Sequence, residues 1–389
     1  MVIAKNKNCL ICGNEVESLI KLPNFPITGV FSDKYDENFP VFDQELQFCK
    51  NCNHCQLKNI IEPDFLYSKQ YSFLTSNSSN SMDSTINFIE FINEYLPMSE
   101  IDSIVEFGCN DLYFLKQFSK HNIESIGIDP ILKDIEVDDN IVIIADYIEN
   151  IDLKSKIKSN ATLICSQHTI EHIFNPIDTL KKLKNISDVE TLFAFEFPNF
   201  DLLVQNRRYD QIFHEHIHYF SLDSFKYLLE MLDFTLIDFK FNYNKWGSIY
   251  VLFKNKASKV SKNTDKYKMS KEKIISGYND FQNLIDISKN VLDQFSENEK
   301  YAYGASLMLP SLNYHFDGYL SKLNSVLDDD KNKKNKSYIN LGLKIDVDKK
   351  EINYSDSVFL ITALEHTRNI TKTLTKKNAK NIIVPINIF

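Results

Sequence analysis

The chain has 389 residues, 43% of them hydrophobic and 25% charged, an ordinary globular composition long enough for two or three domains. Its formal net charge of -9 sets a field that repels phosphate backbones and anionic lipid, so neither nucleic acid nor a membrane surface is expected as a partner. The opening MVIAKNKNCLICGNE holds no apolar leader, and no uninterrupted apolar run is long enough to cross a bilayer, which predicts a cytoplasmic protein.

In a reducing compartment the seven cysteines need a role other than disulfides. Cys9, Cys12, Cys49 and Cys52 form two C-x-x-C pairs. Two such knuckles present four thiolates to one tetrahedral structural zinc, which can hold together a segment too small for a core of its own. A redox motif would be a single C-x-x-C in a βαβ setting, so the zinc reading is preferred. His54 and Cys55 are expected beside that site and not in it.

A helix is predicted from Ser84 to about Leu96, with Phe88, Ile89 and Ile92 at helical spacing. Short apolar strands separated by helices follow: Ile101–Gly108, a helix at Leu112–Lys120, then strands at Ser125–Pro130, Ile141–Asp146, Ala161–Cys165 and Leu192–Phe197. That alternation predicts a doubly wound α/β sheet. Phe234–Phe239 and Ser248–Phe253, with no helix between them, predict an antiparallel pair at the sheet edge. Lys254 to about Lys273 reads as a solvated linker or helix face, Leu284–Phe295 as a helix, and strands are expected at Tyr301–Ser306, Ser325–Asp328, Ser357–Thr362 and Asn381–Pro385. Asp328–Lys336 reads as an exposed loop. The tail thus looks like a smaller Rossmann-like domain.

Glu106-Phe-Gly108-Cys-Asn110-Asp111 leaves the first strand and opens a helix, the place where open α/β sheets bind ligands. Asp129 ends the next strand, where an acid can take both hydroxyls of a ribose, and Asp146-Tyr147 ends the third. Three acidic strand ends without a phosphate-binding glycine loop would repel a pyrophosphate. S-adenosylmethionine carries a ribose, an amino group and a sulfonium but no phosphate, so it is the expected cofactor in preference to NAD.

His214-Glu215-His216-Ile217-His218 satisfies the H-E-x-x-H spacing of zinc proteases, which requires both end histidines on one helix face. Aromatic and β-branched neighbours crowd that segment, and Ser221 is a better N-cap for a helix beginning just after it. The protease reading is therefore rejected. In an extended segment the three histidines would share one face, with one or two of them expected only to hydrogen-bond the backbone.

The paired knuckles, the E-x-G-x-N-D turn, EHIFNP, EFPNF, IFHEHIHYFS, WGSIYV and the C-terminal YGAS...LNY together resemble the sugar C-methyltransferases of deoxysugar pathways, in order and over nearly the whole chain. The resemblance implies a zinc-binding module at 1–75, a class I (Rossmann-like) S-adenosylmethionine-dependent methyltransferase core at 76–255, and a Rossmann-like domain at 256–389 that binds a sugar nucleotide. It implies methylation of a carbon beside the keto group of a nucleotide-linked sugar, with His216 as base, Glu215 and His172 beside it, and Tyr71 and His214 toward the substrate. A histidine suits the removal of a proton next to a ketone, because its pKa lies near neutrality. The family usually has tyrosine where this chain has Phe213 and Phe73, and a lysine-glycine stretch where it has Leu307-Met308-Leu309. A sugar O-methyltransferase, or a binding homologue that has lost the chemistry, is the alternative expectation.

Overall fold

The computed structural model describes residues 2–66, 74–121, 123–134, 140–157, 161–243, 247–256, 268–349 and 351–386. Two seven-stranded sheets dominate it. The central sheet is built from β1 (Ser103–Phe107), β2 (Glu124–Ile128), β3 (Ile141–Ile144), β4 (Leu163–Gln167), β5 (Leu192–Pro198), β6 (Thr235–Asn242) and β7 (Ser248–Lys254) in the order β3-β2-β1-β4-β5-β7-β6. The first five are parallel, and β7 runs antiparallel to both β5 and β6. The order reverses direction between β1 and β4, so the loops after these two strands open a crevice at their carboxyl ends.

The strands read as near-continuous apolar runs because helices cover both faces. Helix Ser79–Asn93 lays Phe88, Phe91 and Ile92 on one face against Leu163, Ala194 and Leu252. Helices Pro176–Lys184 and Leu222–Met231 pack Leu180, Leu183, Phe225 and Leu228 on the other, against Phe193, Phe195 and Val105. Ser221 caps the second of these, accepting from the Ser224 amide in a reciprocal box, which stops the preceding segment from joining the helix.

The second sheet contains β8 (Lys300–Tyr303), β9 (Ser325–Leu327), β10 (Ser337–Tyr338), β11 (Leu341–Asp346), β12 (Val358–Ile361) and β13 (Asn381–Ile383), in the order β13-β12-β8-β9-β11-β10. Its seventh strand is Phe31–Ser32, contributed by the N-terminal segment and paired antiparallel to β10. One apolar cluster runs from Ile20, Leu22 and Phe25 through Phe200 and Tyr209 to Ile285, Leu309 and Leu360, so the N-terminal segment, the long helix Lys271–Asp293 and the second sheet share a core.

Two expectations need correction. The helix predicted from Leu284 begins at Lys271, capped by Ser270, so the end of the stretch read as linker or helix face is the helix's first turn; its lysines hid a stripe through Ile274, Phe281 and Ile285 that is buried. Asp328, placed in an exposed loop by its charged neighbours, is buried at the end of β9 and accepts hydrogen bonds from the Ala305 amide at 2.6 Å and Lys333 Nζ at 3.0 Å. Among the described residues no helix is long and apolar enough to cross a membrane.

Candidate active site

Gly108 leaves β1 with φ +68°, and a Cβ there would lie 1.8 Å from Thr169 Oγ1, so only glycine lets this turn pass under the loop that follows β4. The next turn is tied down by side chains. Asp129 accepts the Asn110 amide at 2.9 Å and the Ile131 amide at 3.0 Å, leaving one lone pair on each carboxylate oxygen for a ligand. Asn110 Oδ1 accepts the Thr75 amide at 3.0 Å, and Asp111 Oδ2 the Ser76 amide at 2.9 Å, which brings 75–77 down beside the crevice. Asp146 Oδ1 accepts from the Tyr147 amide at 2.8 Å and Asn150 Nδ2 at 3.0 Å.

Glu106 is 2% exposed, and burial, with Asp129 and Asp111 nearby, holds its carboxyl well above the ordinary range. Its Oε2 has no hydrogen-bond partner among the described residues. A buried acid without a partner is costly, and a cationic ligand would relieve it.

A cavity of about 360 Å³ runs from these strand ends to the His-Glu-His segment. Glu106, Gly108, Asn110, Asp129, Asp146 and Tyr147 line one end; His172, Glu215 and His216 line the other. Asp111, expected to bind cofactor, is not among the lining residues. Tyr71 and Phe73 lie outside the described residues, as does Trp246 of the WGSIYV stretch.

The three histidines do not share a face, because residues 213–216 form a tight turn closed by the His216 amide on the Phe213 carbonyl at 3.2 Å. His214, expected at the substrate, does not line the cavity: Gln44 Nε2 lies 3.2 Å from its Nδ1 and the Phe25 carbonyl 3.2 Å from its Nε2, so both ring nitrogens are engaged by the N-terminal module. His218 is held between His54 Nε2 and the Ile173 carbonyl, each at 3.0 Å. Only His216 turns to the cavity, with its ring 4.1 Å from that of Phe213 and 4.7 Å from that of His172. Burial, followed by the His172 and His168 imidazoles, pushes its pKa well below the usual histidine value, so it is neutral at pH 7. Glu215 is shifted the other way, to about 7, by burial, although Thr28 Oγ1 donates to its carboxylate at 3.1 Å.

Several lining residues carried no readable signal. Gln167 ends β4, His168 and Thr169 follow it, and all three face the same cavity; their place at a strand end beside the switch point could have marked them. Thr28 reaches the site from the N-terminal module, far away in sequence.

Cys9, Cys12, Cys49 and Cys52 converge with their Sγ atoms within 4.8 Å of one another. The pairs Cys9–Cys52 and Cys12–Cys49 are 3.6 and 3.4 Å apart, and all four are free thiols. Tetrahedral zinc with bonds of about 2.3 Å spaces its sulfurs about 3.8 Å apart, so the set fits a structural zinc held by four thiolates. His54 bonds His218, and Cys55 is a buried strand residue, consistent with neither being a ligand.

The strand order, the single reversed strand and the carboxylate-lined crevice define a class I S-adenosylmethionine-dependent methyltransferase domain, preceded by a four-cysteine zinc-binding module. Comparison with known proteins finds likenesses to parts of this chain. Residues 77–238 match the family model described as "Methyltransferase domain", and residues 9–67 the one described as "Putative zinc binding domain". C-methyltransferase NovU of Streptomyces niveus is 26% identical over 240 residues, which cover 59% of this chain and 56% of that protein, so the match spans little more than half of the relative's length. Among solved structures, the plantazolicin methyltransferase BpumL in complex with SAH overlaps 50% of this chain and 93% of its own at 16% identity and a TM-score of 0.39. The N-methyltransferase NodS from Bradyrhizobium japonicum WM9 overlaps 46% of this chain and 99% of its own at 11% identity and a TM-score of 0.35.

The residues present fit S-adenosylmethionine. Glu106, with its orphaned oxygen, and the open Gly108 turn would face the charged methionine end. Asp129, with one lone pair left on each oxygen, would take the ribose hydroxyls, and Asp146-Tyr147 the base end.

Proposed function

We propose that the protein methylates a carbon beside the keto group of a nucleotide-linked deoxysugar, with His216 as the base. One observation carries this reading: a single cavity joins the carboxylate-lined cofactor end to His216, His172 and Glu215. S-adenosylmethionine supplies an electrophilic methyl on sulfonium. His216, neutral and walled by Phe213, accepts the proton next to the ketone; the C–H electron pair becomes an enolate whose carbon takes the methyl. Glu215, near its midpoint at neutral pH, offers a hydrogen bond to a sugar hydroxyl or to the developing oxyanion. The cavity would bring donor and acceptor together, and such positioning is most of the work in a methyl transfer. The name of the Streptomyces relative supports a carbon acceptor.

The nucleotide end of the substrate is placed toward the second sheet. Leu307 and Met308, just after the turn at 304–306 that follows β8, line the same cavity. Phe213 favours a second reading: a phenyl ring where a phenol would steady an enolate leaves a hydroxyl acceptor equally served by the base, giving an O-methyltransferase.

The test is incubation with labelled S-adenosylmethionine and a panel of 4-keto and hydroxy sugar nucleotides. Methyl incorporation, cofactor-independent deuterium exchange at the α carbon, and loss of both in His216→Ala are expected. Transfer without exchange moves the acceptor to oxygen, and no transfer to any sugar removes the reading.

A further inference from the structure

His216 is well placed to take a proton and badly placed to keep it. The same burial and neighbouring imidazoles that hold it neutral oppose the imidazolium that forms when it acts, so the reaction needs a compensating charge nearby. Glu171, at the start of EHIFNP, supplies one. Its Oε1 lies 4.0 Å from His216 Nε2, 3.8 Å from His172 Nε2 and 3.5 Å from His168 Nδ1. The side chain is 1% exposed, and neither carboxylate oxygen has a hydrogen-bond partner among the described residues. A buried carboxylate in that state is expensive, and such groups persist where function uses them.

The surrounding groups orient the rings. The Glu215 carbonyl, which can only accept, lies 2.8 Å from His172 Nδ1, so that nitrogen carries the hydrogen and Nε2 faces Glu171. The other nitrogen of His168 faces Glu196 at 3.3 Å, so this ring is shared between two acids. A carboxylate facing His216 Nε2 favours the hydrogen on that nitrogen and leaves the lone pair on Nδ1.

We infer that Glu171 is a positioning residue: it selects the His216 tautomer and holds the positive charge that arrives when His216 takes the substrate proton. The inference rests on His216 being the base. In the step the C–H bond breaks, its electron pair stays on carbon, the proton goes to His216 Nδ1, and the resulting imidazolium is paired by Glu171 through Nε2–H. A gap of 4.0 Å in the free enzyme closes in the loaded one, as catalytic hydrogen bonds commonly do.

The experiment compares wild type, Glu171→Gln and Glu171→Asp, all loaded with structural zinc and S-adenosylmethionine. With ¹⁵N-labelled histidine, NMR titration reads the His216 imidazole directly and requires no sugar. Glu171→Gln should lower its pKa by more than about half a unit, shift the acid limb of kcat/KM to lower pH by the same amount, and cut kcat by at least about tenfold with KM within about twofold. Glu171→Asp should move each quantity less, in the same direction, and serves alone should the amide variant not fold. A His216 titration indifferent to both variants overturns the inference, as does a second equivalent of metal per chain that leaves with Glu171→Gln, since the cluster would then be a metal site. Full activity in His216→Ala would instead remove the base assignment, and the NMR result keeps the two failures apart.

Discussion

Gly108→Ala tests whether the turn after β1 is the hinge of the cofactor site. The three nearest atoms to the added Cβ all belong to Thr169: Oγ1 at 1.8 Å, Cγ2 at 2.6 Å and Cβ at 2.7 Å. Two terms add. An alanine at φ +68° costs about 1–2 kcal/mol, and forcing a methyl into an occupied space costs about 1–3 kcal/mol more, for a total of about 2–5 kcal/mol. The second term has one identifiable source, so it should vanish when that source is removed. Thr169→Gly deletes all three atoms, and Gly108→Ala in that background should then cost only the backbone term. Urea unfolding of the four proteins gives the coupling energy, expected at about 1–3 kcal/mol, and calorimetry gives S-adenosylmethionine affinity, which should fall at least about tenfold in the single variant and partly recover in the double. An equal cost of Gly108→Ala in both backgrounds would refute the steric account and leave the glycine explained by backbone conformation alone.

Cys49→Ser should abolish the single structural zinc counted by atomic absorption, and methyl transfer with it, while S-adenosylmethionine binding to the separate strand ends survives in weakened form. Asp129→Ala strands two backbone amides and removes the proposed ribose acceptor; calorimetry should show cofactor affinity lowered by at least about tenfold, or about 1.4 kcal/mol. Glu215 has its folded pKa raised from 4.5 to about 7, so between those values the native state binds the proton more tightly than the unfolded chain. Its stabilising term is therefore present below about pH 4.5 and is lost as pH rises through 7. Glu215→Gln should flatten the fall in unfolding free energy across that window, and a pH profile unchanged by the substitution would mean that the carboxyl is ionised throughout.

Periodicity exposed the central sheet because each of its parallel strands is buried on both faces and each connecting helix shows its own apolar stripe. It also exposed the capped helix at Ser221, where a polar N-cap interrupts an aromatic run. The cysteine pairs were legible because metal chemistry fixes spacing within each knuckle. By contrast, the long helix hid its first turns behind lysines. The strands Glu17–Pro26 and Val41–Phe48 were not anticipated, because their register shifts at Ser18/Ile20 and Leu22/Phe25 break the alternation that marks a strand. The site histidines were legible in part: His214 and His218 meet backbone carbonyls, as expected of one or two of them, but the shared face is absent. Alternation assigns all three to one face, and a turn at 213–216, imposed by partners far away in sequence, sends each to a different environment.

Those distant partners explain why a zinc module precedes a methyltransferase domain. Cys55–Leu57, three residues beyond the second knuckle, pairs antiparallel with His218–Tyr219, so the strands that flank the second knuckle share one four-stranded sheet with the end of the histidine segment. From the same module Gln44 and the Phe25 carbonyl fix His214, His54 fixes His218, and Thr28 holds the Glu215 carboxylate. Every residue flanking His216 in the run is thus contacted by a side chain or backbone group of the N-terminal module, Ile217 through its carbonyl, which accepts from the Leu57 amide at 2.9 Å. His216 is left as the histidine of the run whose ring reaches the cavity. With His216 as the proposed base, the module would serve as its scaffold, and loss of the module is expected to lower kcat before it loosens the cofactor.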